Sequence, residues 1–86
     1  MRKLKHPSHA ATAKRLKRAA GHLQATLAMI ETQRPSLELA QQLAAVEAAI
    51  RAARQQVAHD QLEACLDTSD AERGTLRQLK RLAHYL

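Results

Sequence analysis

The sequence predicts an all-α fold, and three observations carry that prediction. Residues Leu37 to Leu66 run for 30 positions without Gly, Pro or an aromatic residue. They are dense in Ala, Leu, Gln, Glu and Arg, the residues that lose least side-chain freedom in a helix. Two stretches place apolar residues at alternating spacings of three and four, the heptad signature of helices packed side by side. No segment shows the two-residue alternation of a half-buried strand.

The elements follow in order. Residues 1–7, MRKLKHP, read as a flexible basic arm, and Ser8 is a candidate N-cap. A first helix is expected over about 8–33, with Ala13, Leu16, Ala20, Leu23, Leu27 and Ile30 as its seam. Gly21 interrupts it at a cost of roughly 1 kcal/mol relative to Ala, which a close helix crossing would explain. Thr32 to Ser36 is a short link in which Pro35 cannot continue the helix and Ser36 can cap the next. So short a link between long helices implies an antiparallel hairpin.

The second helix is expected over about 36–66, with Leu39, Leu43, Val46, Ile50, Ala53 and Val57 forming a seam that faces the first. Thirty residues at about 1.5 Å each give about 45 Å, longer than a compact domain of this size is wide. Ser69-Asp70-Ala71-Glu72 matches a capping box and opens a third helix over about 70–85. Leu76, Leu79, Ala83 and Leu86 form its apolar stripe, with Arg73, Arg77, Lys80 and Arg81 elsewhere on its surface. Residues 8–86 thus make one helical domain behind the arm.

Composition points to self-association. Hydrophobic residues reach 45%, but 18 of the 86 residues are Ala and Tyr85 is the sole Phe, Trp or Tyr. With so little large apolar surface, a monomeric core is marginal, and pairing between chains relieves the deficit. A homo-oligomer, dimer or tetramer, is expected. The single Cys excludes an intramolecular disulfide framework and suits a reducing compartment. No apolar run resembles a signal peptide or a membrane span, so a cytoplasmic protein is expected, with no membrane partner.

The net charge of +6 is unevenly placed: +7 over residues 1–34, −5 over 35–72 and +4 over 73–86. A basic first helix beside an acidic middle reads as a polyanion-binding face. Nucleic acid is the first candidate and an anionic membrane surface the second. The centre of that face is Lys14, Arg15, Lys17 and Arg18. On a helix, residues 14, 17, 18 and 21 share one side, so three cations can address one phosphate track. A charge run can also be a solvated face, but no acid precedes Glu31 to neutralise this one. Arg51 and Arg54 can extend the surface, or Arg51 can pair with Glu47 one turn earlier. The lack of aromatics among the bases argues against stacking on single strands and favours duplex DNA.

Two groups of side chains are candidate metal ligands. The segment His59-Asp60-Gln61-Leu62-Glu63-Ala64-Cys65 offers His59 and Cys65 as candidates, since imidazole, carboxylate and thiolate together can bind a soft or borderline transition metal. His59 and Cys65 are six residues apart and project about 120° from one another, which favours an inert Cys over a shared site. Gln61 and Cys65 share a face, but an amide is a poor ligand for such metals. His6 and His9, near the N-terminus, could contribute to a metal site, contact DNA or be incidental. The possible ions are nickel, cobalt, copper and zinc. No Ser/His/Asp set, paired carboxylate site or Gly-rich phosphate loop is present, so the chain is not expected to be an enzyme.

Arg15 to Glu31 (RLKRAAGHLQATLAMIE), Ala40 to Ile50 (AQQLAAVEAAI) and His59 to Leu66 (HDQLEACL) resemble the copper-sensing operon repressors, a CsoR-like family that includes nickel/cobalt-sensing and formaldehyde-sensing members. The likeness covers about residues 8–68 and is closest to the branch found in metal-resistance clusters. The Arg15-x-x-Arg18-x-x-Gly21 pattern and the Gln-Gln-x-x-Ala-Val segment carry it. The resemblance implies a three-helix subunit, a four-helix-bundle dimer, a tetramer built from two dimers, and repression through operator DNA held on basic residues of the first two helices. It also implies an effector that loosens DNA binding. The family's sensing positions fall at Ser36, Gln61 and Cys65, of which only Cys65 can be a strong metal ligand. A copper-type trigonal site, formaldehyde chemistry and a bridge between two Cys are therefore not expected. The leading reading is a DNA-binding repressor with an altered effector site. The alternatives are an effector-blind or heteromeric subunit that modulates an intact paralogue, and a metal sensor using His6, His9, His59 and Cys65.

Overall fold

The computed structural model describes residues 8–67 and 73–86, with side chains described over 9–64 and 76–86. The arm over 1–7, His6 included, and the capping box at 69–72 lie outside the described residues. Three helices follow one another: α1 Ser8–Glu31, α2 Ser36–Asp67 and α3 Arg73–Ala83. Among the described residues there is no strand. Helices α1 and α2 form the expected hairpin, and α3 packs on α2.

The link is built by hydrogen bonds that the sequence does not announce. The Arg34 amide donates to the Met29 carbonyl at 3.0 Å and the Gln33 amide to that of Ile30 at 3.1 Å. That crossed pair is a Schellman ending with Gln33 in the left-handed position, φ 59°. The Thr32 hydroxyl donates to the carbonyls of Ala28 and Met29 at 3.0 and 3.2 Å. Helix α2 then starts differently from the expectation. The Leu39 amide bonds the Pro35 carbonyl at 3.1 Å, so Pro35 holds the cap position and Ser36 is already helical. In place of a Ser36 cap, Arg34 reaches Glu38 at 2.7 Å across the first turn.

The seam between α1 and α2 is the main correction. The buried or half-buried residues along α1 include the row Thr12, Ala19, His22, Thr26 and Met29; along α2 they include the row Leu39, Gln42, Val46, Ala49, Ala53, Gln56 and Asp60. Both rows keep the three-four spacing, but the α1 row is not the leucine row. Leu16, Leu23, Leu27 and Ile30 stay 44–49% exposed, as do Leu43, Ile50 and Val57 of α2 at 42–47%. The expected α1 seam therefore lies on a neighbouring face, and only Leu39, Val46 and Ala53 of the expected α2 seam face inward. Small and polar side chains make up much of the seam, and several polar ones find partners. His22 Nε2 donates to Gln42 Oε1 across the hairpin at 2.6 Å. Thr26, fully buried, donates to the His22 carbonyl at 2.8 Å. Gly21 sits at no close crossing within the chain, for a Cβ there would meet nothing within 4 Å.

Candidate nucleic-acid interface and cation cluster

Helix α1 carries the cationic row. Lys14, Arg15, Lys17 and Arg18 are all exposed. Among the described residues the ion pairs are Arg34 with Glu38 and His59 with Glu63, so the row keeps its charge un-neutralised. Arg15 falls at a seam position between Thr12 and Ala19, yet its long stem carries the guanidinium out to water. Arg15 and Arg18 line one shallow cleft with His22, Ala49 and Ala52. The small residues of α2 leave the two guanidiniums standing above their surroundings, which suits a phosphate approaching from outside.

Arg51 and Arg54 occupy another side of the chain. They line a groove with Leu23, Leu43 and Ile50, on the exposed apolar face. Arg51 makes no ion pair with Glu47 among the described residues. The Arg54 guanidinium lies 5.9 Å from the centre of the Tyr85 ring, a cation–π contact that ties α2 to the turn that follows α3. His84 packs edge-on against the same ring at 4.9 Å. Sequence reasoning had no signal for this contact, since it depends on how far α3 folds back along α2.

Of the candidate metal ligands, the side chains of His9 and His59 are described and that of His6 is not. The side chain of Cys65 lies outside the described residues. Gln61 is half-buried and Ser36 is exposed at the opposite end of α2. His9 sits half-buried in the first turn of α1. What does come together is His59, Asp60 and Glu63, whose ligand atoms lie within 4.8 Å of one another. His59 Nδ1 is 3.4 Å from Glu63 Oε1, and Gln56 Nε2 donates to Asp60 Oδ1 at 2.8 Å. One nitrogen and two oxygens suit nickel, cobalt or zinc better than cuprous ion, which selects thiolates. The signal for the trio was in the sequence as His-Asp-x-x-Glu. Its members at i, i+1 and i+4 span only about 100° of the helix surface, with Glu63 between the other two.

Over residues 8–86 the sequence matches the family model for metal-sensitive transcriptional repressors. Comparison with curated proteins and with solved structures yields no match.

Proposed function

The chain belongs to the metal-sensitive transcriptional repressors, and from that premise we propose that it represses transcription as a homo-oligomer bound to duplex operator DNA. The row Lys14, Arg15, Lys17 and Arg18 supplies the phosphate contacts. The observation that carries this reading is the row's exposure without an ion-pair partner among the described residues. An un-neutralised set of cations on a rigid helix releases counterions when it meets a phosphate backbone, and that release drives binding. Arg51 and Arg54 lie away from the row and join the DNA surface where a second chain brings them beside it. An effector relieves repression, and the protein works in the cytoplasm, where the operator is.

The chemistry of the whole chain fits a binding protein. Among the described residues no helix is long and apolar enough to cross a membrane. The test is a titration of the gene's own upstream DNA followed by fluorescence anisotropy at several salt concentrations. The logarithm of the affinity should fall linearly with the logarithm of salt, by about 0.9 per phosphate neutralised. Arg15→Ala and Arg18→Ala should each reduce that slope by about 1 and weaken binding to all sequences alike. Absence of salt-sensitive binding at micromolar protein would sink the reading.

A further inference from the structure

We infer that His59, Asp60 and Glu63 form a binding site for a borderline divalent cation of the zinc, nickel or cobalt class, and that this cluster is where the chain meets its metal. The inference rests on the metal-sensitive reading of the family and adds to it the residues and the class of ion.

The geometry is the first support. With metal–ligand bonds of about 2.0–2.1 Å, adjacent donors of a tetrahedral site stand about 3.4 Å apart. His59 Nδ1 and Glu63 Oε1 already stand 3.4 Å apart. No donor of the three is more than 4.8 Å from another, so an ion between them requires movements of little more than an ångström. His59 and Glu63 are both exposed on the solvent side of α2 and can make that adjustment by small side-chain rotations.

The second support is Asp60, which differs from an ordinary surface carboxylate. It is only 8% exposed. Gln56, one turn earlier, donates to its Oδ1 at 2.8 Å and fixes its orientation. A buried carboxylate held by an outer hydrogen bond beside an imidazole has the layout of a metal ligand with its supporting partner. The open side of the cluster, over His59 and Glu63, leaves room for water or a group from another chain to complete the coordination.

Position gives the site a consequence. His59 lines the same cleft as Arg15, together with Ala52, Gln55 and Gln56. An ion held by His59 therefore shares a cleft with a cation of the proposed DNA surface and changes the charge of that cleft.

The test uses the full chain without DNA, titrated with zinc, nickel and cobaltous ions in a calorimeter and by cobalt absorption. One ion per chain is expected, bound more tightly than micromolar. His59→Ala and Glu63→Gln, at exposed positions and checked for intact folding by far-ultraviolet circular dichroism, should each weaken binding by at least about tenfold. No binding tighter than micromolar, or full affinity in both the His59 and Glu63 variants, would each overturn the proposal. DNA titration of the metal-free chain judges the repressor reading separately.

Discussion

At the scale of single residues, the hairpin is held by a few polar contacts among small side chains. His22 and Gln42 meet across α1 and α2 at 2.6 Å where both are half-buried. Removing one partner leaves the other desolvated, which costs more than the bond itself contributes. Gln42→Ala should lower stability by about 1–3 kcal/mol, read from urea unfolding followed by circular dichroism. The double variant with His22→Ala should be less than additive, because the two residues share one interaction. Additive costs would show that the bond is not formed in solution. Such polar seam residues were hard to find from the sequence. A helical wheel ranks Leu16, Leu23 and Leu27 above Thr12, His22 and Thr26, since hydropathy rewards transfer from water and says nothing of which neighbour receives the side chain.

At the scale of elements, length and order were legible because they depend on local chemistry. The Gly- and Pro-free run fixed α2, and Pro35 with the short link fixed the turn. The cap at the turn was not legible, since Ser36 is a better cap by type than Pro35 and only the backbone path decides between them. Gln33 illustrates the same point. It occupies the left-handed C′ position at φ 59°, where Gly is the usual residue because a Cβ crowds the following carbonyl. Gln33→Gly removes that crowding at the cost of a more flexible unfolded chain. The expected net gain is about 0.5–1 kcal/mol, measurable as a rise in the denaturation midpoint with unchanged m-value. A loss of stability would mean that Gln33 contributes a contact worth more than its strain. The cation trio was equally within reach, because three spacings on one helix determine it. What the sequence could not supply was that Asp60 turns inward while His59 and Glu63 stay outside.

At the scale of the whole molecule, one chain is thin for its length. Its extents are 55 × 29 × 15 Å and its radius of gyration is 17.3 Å, against about 12 Å for a compact domain of this length. The accessible surface of 7026 Å² compares with about 5,000 Å² for a compact monomer of this mass. Among the described residues the buried apolar ones are Ala19, Val46, Ala53 and Ala58, while Leu16, Leu23, Leu27, Ile30, Leu43, Ile50 and Val57 remain in water. Covering one Leu or Ile side chain is worth about 1.5–3 kcal/mol, so that face outweighs the hairpin seam as a source of stability. In the proposed homo-oligomer a second copy of the chain would present the same row and cover it by two-fold pairing. The groove lined by Leu23, Leu43 and Ile50 is the centre of the face, and a carboxylate placed there would be buried without a partner. Leu23→Glu and Ile50→Glu should therefore give monomers by sedimentation, with a melting temperature that no longer rises with protein concentration. Gln41→Glu, an exposed position outside that groove, should leave assembly as it was. If Ile50→Glu retains the oligomer, the copies meet through some other surface, and Arg51 and Arg54, which line the same groove, lose their route to the DNA face.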